Sequence, residues 1–282
     1  DGFDGLVIRP KIDFIQTQDN KSQQQLSVAR PECFSKALAE EKSIEGLRPD
    51  KNSILLTTGA GTNFQQLIDS CIQNNITGLE EFSGIPGTVG GSVFINIHYF
   101  EFLLSQFIVS AQVIEKNTAQ VLEVDKDWFN FSYNYSKLHE NNYYLATCTF
   151  KLKKVTDLEA AYARGRRDEI VRHRKQRYPN AGTCGSFFRN FYPEEVTLES
   201  NGKKLIFVAY YLDKIGVKGQ LSVGDAIVSY QHANMIVNRN NATTKDIINL
   251  VRKMQELVKE NFGITPQPEC RLIGFKDYPL HR

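Results

Sequence analysis

Apolar residues recur along this chain with two different periods. Short runs bounded by glycine or charge, Leu6-Val7-Ile8 within 1–15 and Ile54-Leu55-Leu56 within 53–60, predict strands. The polar stretch from Gln16 to Gln25 between them reads as a loop. From Asn63 to Asn75, Phe64, Leu67, Ile68, Cys71 and Ile72 fall three to four residues apart, which predicts an amphipathic helix. Phe107-Ile108-Val109 through Val121-Leu122-Glu123-Val124 reads as a β-meander, and Tyr143 to Leu152 as a further strand. Asp157 to Arg177 reads as a helix rich in arginine. In the last helix Ile247, Leu250, Val251, Met254, Leu257 and Val258 line one face. Thr243 and Asp246 make a capping-box pattern at its start, and Gly263 marks its stop. The pattern predicts an α+β fold with antiparallel sheets and a boundary near residue 153.

At 282 residues the chain can bury a large core and holds two domains on this reading, 1–153 and 154–282. A net charge of +2, from 34 basic and 32 acidic residues, gives no bulk footprint for nucleic acid or a membrane surface. A local cationic cluster for an anionic small molecule stays open. No apolar run approaches the roughly 18 residues of a membrane span, and no signal-peptide pattern is visible. The five cysteines, Cys33, Cys71, Cys148, Cys184 and Cys270, are scattered and odd in number. That argues against a disulfide framework or a zinc site and for a reducing cytoplasm. The histidines show no ligand spacing, so no metal is expected.

Chemistry enters with Gly84-Ile85-Pro86-Gly87-Thr88-Val89-Gly90-Gly91, running on to Asn96. Glycine lets backbone N–H groups converge into a nest, and Pro86 stiffens the segment. Two readings stand: a cradle for a phosphate or a cofactor ring, and a tight turn between strands. Gly185-Ser186-Phe187-Phe188-Arg189-Asn190 and Pro266-Gln267-Pro268-Glu269, followed by Arg271 and Ile273-Gly274, are the two other dense segments. Read alone, Gly185-Ser186 is a strand entry and Glu269 a surface carboxylate. The arginine run of the 157–177 helix reads either as a solvated face or, at its C-terminal end, as cations facing a diphosphate.

These three segments come in the order and at roughly the spacing seen in UDP-N-acetylenolpyruvoylglucosamine reductases, and the chain resembles that family over nearly its whole length. Gly59-Ala60-Gly61, Gly78-Leu79-Glu80, Phe131-Ser132-Tyr133, Ile215-Gly216-Val217-Lys218-Gly219, His232-Ala233-Asn234-Met235-Ile236-Val237-Asn238 and Asn241-Ala242-Thr243 extend the match. The resemblance implies an FAD-binding domain of the vanillyl-alcohol-oxidase/p-cresol-methylhydroxylase type, 1–153, followed by a smaller α+β substrate-binding domain, 154–282. It implies an oxidoreductase of bacterial peptidoglycan synthesis, and so of cell-wall biogenesis, cell shape and cell division. FAD and NADPH are the implied cofactors, UDP-N-acetylglucosamine enolpyruvate the substrate, a monomer the state and the cytoplasm the location.

Residue by residue, the resemblance makes Ser186 the proton donor and Glu269 the group that polarises or protonates the enolic intermediate. Gly84, Ile85, Pro86, Gly87, Thr88, Gly90, Gly91 and Asn96 are implied to hold the cofactor. Tyr133, Lys175, Arg177, Arg189, Asn190, His232 and Asn234 are the substrate-side candidates.

The match departs from the family in three places. The family motif of tyrosine, arginine, any residue and serine reads Tyr133-Asn134-Tyr135-Ser136, so Asn134 stands where a catalytic arginine is expected. Losing a charge-assisted contact in a dry site costs on the order of 3 kcal/mol, or roughly a hundredfold in rate. His98 or Arg189 is a candidate replacement cation. After Asn96 the family continues with small residues, whereas this chain has Ile97-His98-Tyr99-Phe100-Glu101-Phe102, and His98 reads as catalytic, as a flavin tether or as a packed ring. The glycine-rich loop that precedes the Asp1-Gly2-Phe3-Asp4-Gly5 stretch in the family is absent here, which suggests a fragment of a longer chain. These departures leave two alternatives open: a related flavin oxidoreductase with a changed substrate, and a non-catalytic flavin- or UDP-sugar-binding homologue.

Overall fold

The computed structural model describes residues 14–18, 23–26 and 52–281. The strand expected at Leu6-Val7-Ile8 lies outside the described residues, as does Cys33. The described chain falls into two compact units, one ending at Val171 and the other beginning at Arg172. The boundary expected at 153/154 is the end of a strand, whereas the division itself falls inside a helix.

The first unit is built on an antiparallel sheet. Its strands are β1 (Ile15–Gln18), β2 (Gln23–Leu26), β3 (Ser53–Gly59), β4 (Ile76–Thr77), β7 (Ile108–Glu115), β8 (Val121–Asp125) and β9 (Tyr143–Lys154). They run in the order β2-β1-β3-β9-β7-β8, with β4 paired on β9. A short hairpin, β5 (His98–Tyr99) with β6 (Phe102–Leu103), stands apart from the sheet. The polar stretch expected as a loop contains β1 and β2, which pair antiparallel with each other. Alternation explains this: Ile15 and Thr17 are buried while Gln16 is exposed, so half of a glutamine-rich strand faces the core.

Helix α1 (Phe64–Gln73) buries the five expected residues, Phe64, Leu67, Ile68, Cys71 and Ile72. Asn63 caps it, its side-chain oxygen accepting from the N–H groups of Gln65 and Gln66. Helix α2 (Val89–Phe94) grows directly out of the glycine loop.

Helix α3 (Asp157–Arg177) crosses the division between the units. Two of its arginines are tied within the first unit. Arg166 makes a two-pronged pair with Glu81, both contacts at 2.8 Å, and Arg167 pairs with Asp69 at 2.5 and 3.1 Å. For these two the choice between a solvated face and a diphosphate resolves as a packing tie to neighbouring carboxylates.

The second unit packs α4 (Val208–Ile215) against α5 (Thr244–Phe262). Beside them lie a hairpin of β10 (Glu199–Ser200) and β11 (Lys203–Lys204), and a sheet of β12 (Ser222–Val223), β13 (Ala226–Val228) and β14 (Ile236–Asn238). Both ends of α5 match the sequence reading: Thr243 and Asp246 form the capping box, and Gly263 ends the helix at φ +73°. Leu250, Val251, Met254 and Val258 are buried in the core with Phe187, Phe188 and Tyr211. Ile247 and Leu257 sit at its margin, and Ile248 is buried in place of Ile247.

Candidate active site

The glycine loop is fastened from inside. Gln65, on α1, accepts from the Gly84 N–H at 2.7 Å and donates to the Ile85 carbonyl at 2.9 Å. Val89 N–H donates to Thr62 O at 2.9 Å, Gly90 N–H to Ala60 O at 2.8 Å, and Gly91 N–H to the Thr88 hydroxyl at 3.3 Å. A Cβ on Gly90 would stand 3.0 Å from Ala60 O and 3.2 Å from Ala60 Cβ, so this glycine permits a close approach of two backbones.

Most of the N–H groups expected to form a nest are therefore engaged with the protein. The outward side of the loop is Pro86, Gly87 and Gly91, all exposed. Gly87 has φ +139° and open space where a Cβ would lie, and the N–H groups of Gly87 and Thr88 donate to no protein group among the described residues. A bare, stiff backbone face of this kind fits a flat cofactor ring or a phosphate.

Asn96 does not belong to that outward face. It is buried with φ +46°; its amide donates to Ser132 O at 3.1 Å and accepts from Ser105 N–H at 3.0 Å. It ties the end of α2 to the Tyr133–Asn134 turn. That turn is closed by reciprocal backbone bonds between Ser132 and Tyr135, at 3.2 and 3.3 Å. Asn134 occupies it at φ +53°, a conformation that asparagine tolerates better than most side chains. Buried Ser136 donates to Phe94 O at 2.7 Å and fixes the same turn to α2. Tyr133 is exposed, its ring centroid 5.0 Å from that of His98 on β5. Burial lowers the pKa of His98 below its ordinary value, so the ring is largely neutral at pH 7 and does not restore the missing arginine's charge.

In the second unit three segments run side by side. Ser186 bridges antiparallel to Met235, and Phe188 to Pro268. Phe187 N–H donates to Asn234 O at 2.8 Å; Glu269 N–H donates to Phe187 O at 2.8 Å; Arg189 N–H donates to Gln267 O at 3.0 Å. The segment carrying Ser186 thus lies between the one carrying Asn234 and the one carrying Glu269. Ser186 is half-buried and its hydroxyl has no partner among the described residues, while Glu269 is exposed.

Asn234 is buried, and both ends of its amide bond the backbone of Phe188. It holds the ladder together, with each end of its amide already bonded to backbone. Gly182 starts the segment at φ +65°, with its carbonyl accepting from Asn238 N–H at 2.7 Å. A Cβ there would come 2.7 Å from Asn238 O.

Arg189 is committed elsewhere. Its guanidinium makes a two-pronged pair with Glu195, both contacts at 2.7 Å, donates to Asn190 O and stacks over Tyr192. Glu195 thus neutralises the charge expected to meet a substrate or to replace the arginine. Asn190 stays half-exposed beside it.

Lys175 and Arg177 are exposed at the end of α3. Gln231 closes that end, its amide donating to the carbonyls of Lys175, Gln176 and Tyr178 at 3.3, 3.1 and 3.2 Å. His232 follows, 5.3 Å ring to ring from Tyr178, with Nδ1 accepting from Asn234 N–H at 3.3 Å. Burial, reinforced by the nearby Arg177 charge, pushes its pKa down to about 4. At pH 7 it is neutral, and Nδ1 being an acceptor leaves the proton on Nε2.

Two positioning residues escaped the sequence reading. Gln255 is fully buried on α5 and donates to Pro266 O at 2.8 Å and His281 O at 2.9 Å, anchoring the segment that leads to Glu269. Its only signal is a polar residue on the apolar face of the helix. Gln231 has no signal at all. Among the described residues no group of histidines, cysteines and carboxylates could hold a metal ion, and no helix is long and apolar enough to cross a membrane.

Residues 176–273 match the family described as UDP-N-acetylenolpyruvoylglucosamine reductase, C-terminal domain. The UDP-N-acetylenolpyruvoylglucosamine reductase of Clostridium novyi is 33% identical over 216 residues, covering 76% of this chain and 65% of that protein. The one from Latilactobacillus sakei subsp. sakei is 30% identical over 228 residues, covering 80% and 70%. The crystal structure of UDP-N-acetylenolpyruvylglucosamine reductase from Thermus caldophilus is similar with a TM-score of 0.60 and 28% identity, covering 76% of this chain and 71% of that one. The matched stretch spans 65% of the Clostridium novyi protein, somewhat less than two thirds of its length. Sequence and fold agree: the chain belongs to the UDP-N-acetylenolpyruvoylglucosamine reductase family of oxidoreductases, with that family's C-terminal domain over residues 176–273.

Proposed function

We propose that the protein reduces the enolpyruvyl double bond of UDP-N-acetylglucosamine enolpyruvate to give UDP-N-acetylmuramate, with NADPH as reductant, in the bacterial cytoplasm. The observation that carries this reading is the ladder that sets Ser186 between the Asn234 and Glu269 segments, with an unengaged hydroxyl. FAD, when bound and reduced by NADPH, supplies the hydride that the β-carbon receives. Gly87, Thr88 and Gly91 offer it the open backbone face of the first unit; Gly84, Ile85, Pro86, Gly90 and Asn96 shape and hold that face.

The rest of the work falls on the chain's own side chains. Negative charge develops at the α-carbon and its carboxylate, and the α-carbon needs a proton. Ser186 donates it from its hydroxyl; a serine is a weak acid, so the transfer is concerted with the development of that charge. Glu269 polarises the enolic carbon from the neighbouring segment. Tyr133 and Asn134 hydrogen-bond the substrate carboxylate without a full charge. Lys175 and Arg177 attract the diphosphate, and neutral His232 donates from Nε2, with Asn190 as a further polar contact.

Asn134 at the arginine's place in the sequence, next to a Tyr133 that packs near a largely neutral His98, favours one second reading: a flavin oxidoreductase of this family acting on a substrate with less negative charge at the reacting end. One experiment separates the two. Flavin bound to the protein is reduced anaerobically with NADPH, and the enolpyruvyl UDP-sugar is added. Rapid reoxidation with UDP-N-acetylmuramate as product is the expected result. A flavin that reduces and then ignores this substrate points to the second reading.

A further inference from the structure

The second unit also places two reactive groups side by side that the proposed chemistry does not use. The free thiols of Cys184 and Cys270 lie 3.4 Å apart, although 86 residues separate them in the chain. Cys184 is exposed and stands two residues before Ser186; Cys270 is half-buried and follows Glu269 directly. The single Cys270 S–H has two acceptors in reach, the Cys184 sulfur and Ser186 O at 3.6 Å, and the N–H groups of Glu269 and Cys270 share Phe187 O at 2.8 and 3.3 Å. The pair therefore straddles the two segments that carry Ser186 and Glu269.

We propose that Cys184 and Cys270 form a reversible redox switch: a disulfide between them ties the Ser186 segment to the Glu269 segment and lowers turnover. The turnover clause rests on the function proposed above.

The other two described cysteines set the contrast. Cys71 and Cys148 are buried, and burial pushes both thiols up, Cys71 to about 12, which leaves them inert. Cys184 is held down at about 7 by the hydrogen bond from Cys270, so a large share is thiolate at neutral pH. Cys270 is pushed the other way by that same bond, by burial and by the charges of Cys184 and Glu269; it keeps its proton until oxidation of Cys184 to the neutral sulfenic acid removes that bond and that charge, a relief that never arises at Cys71 or Cys148. An exposed thiolate beside a protonated partner is the arrangement of an attacking and a resolving cysteine.

The oxidant is a peroxide. The Cys184 thiolate attacks one oxygen of hydrogen peroxide; the O–O bond breaks, giving a sulfenic acid and hydroxide. The Cys270 thiol then attacks the sulfenic sulfur, and its proton leaves with the displaced hydroxyl as water. Counting the proton that Cys184 had released, two thiols and one peroxide give one disulfide and two waters. A dithiol reverses the reaction by exchange.

Closure brings the sulfurs from 3.4 Å to about 2 Å. It removes the S–H within reach of Ser186 O and draws the residue after Glu269 toward the residue two before Ser186. Both ends of the pull lie in the hydrogen-bonded ladder that positions the proton donor. Exposed pairs of this kind in a reducing compartment are regulatory more often than structural.

The test uses the full chain with flavin bound, in reduced form and after treatment with hydrogen peroxide. Peptide mapping reads the bond, and flavin reoxidation by the enolpyruvyl UDP-sugar reads turnover. The proposal expects a Cys184–Cys270 cross-link, reoxidation slowed at least about tenfold, recovery with dithiothreitol, and insensitivity to peroxide in Cys184→Ser and Cys270→Ser. No cross-link between these two residues, or a cross-link that leaves the rate unchanged, overturns it. If the reduced protein ignores the substrate, the functional reading falls with the turnover clause, and the peptide map alone decides whether the pair oxidises.

Discussion

The carboxamide of Asn234 makes a two-way exchange with the backbone of Phe188: its oxygen accepts from the Phe188 N–H at 3.0 Å, and its nitrogen donates to the Phe188 carbonyl at 2.7 Å. A side chain thus stands in for a strand, two residues from the proposed proton donor. Asn234→Ala leaves both buried backbone groups without partners, at a cost of about 3 kcal/mol. Thermal unfolding is expected to show the loss, with kcat falling and KM for NADPH unchanged. Unchanged stability would mean that the exchange does not hold the ladder.

Two glycines of one loop make opposite predictions. Gly90→Ala drives a methyl group against Ala60 O and is expected to cost 1–3 kcal/mol, roughly, as overpacking. Gly91 is exposed, and its Cβ would meet only the Thr88 hydroxyl at 3.7 Å. Gly91→Ala should therefore fold with near-native stability yet lose flavin affinity, because the methyl group stands on the open face. Melting curves and flavin titration of the two variants separate the roles.

Asn134→Arg supplies the charge that the resemblance to the family leads one to expect at this turn. The αL backbone at φ +53° penalises arginine by about 1 kcal/mol, so the variant should be slightly less stable. Reoxidation by the enolpyruvyl substrate should rise by one to two orders of magnitude, roughly, within the bound set by a charge-assisted contact. A variant that folds and is no faster would show that this substitution does not limit turnover.

His232 makes stability depend on pH. Its folded pKa, about 4, lies below the ordinary value of 6.5, so the unfolded chain takes up a proton first as pH falls. The stabilisation is complete above pH 6.5 and is lost progressively down to about pH 4, by up to about 3 kcal/mol. His232→Gln should flatten that part of the stability-against-pH curve measured by urea unfolding. An unaltered slope would place the effect on another group.

Gln255→Leu removes the amide that fastens Pro266 and His281 to α5. Leaving the buried Pro266 carbonyl unpaired costs about 1–3 kcal/mol. The activity should fall with it, since Glu269 follows Pro266 by three residues. The unfolding midpoint and kcat are the two readouts.

Much of this was legible in the chain because the signals were local. The spacing of Phe64, Leu67, Ile68, Cys71 and Ile72 gave α1, and Thr243, Asp246 and Gly263 gave both ends of α5. Tertiary contacts overrode the rest. β1 is a strand through pairing with β3, which its glutamines do not announce. Arg189 reads as a substrate cation until the fold supplies Glu195, six residues on. Asn96 and Asn234 read as ligand contacts, and the fold turns both amides onto backbone. Cys184 and Cys270 meet only because the Ser186 and Glu269 segments pair.

The central claim is that Ser186 delivers the proton that completes reduction of the enolpyruvyl double bond. Stopped-flow of Ser186→Ala, reduced with NADPH and then mixed with the substrate, tests it most directly. Flavin reduction should keep the rate of the unmodified protein, while reoxidation by the enolpyruvyl UDP-sugar slows by at least about a hundredfold. Reoxidation at an undiminished rate would contradict the account and take the proton donor away from Ser186.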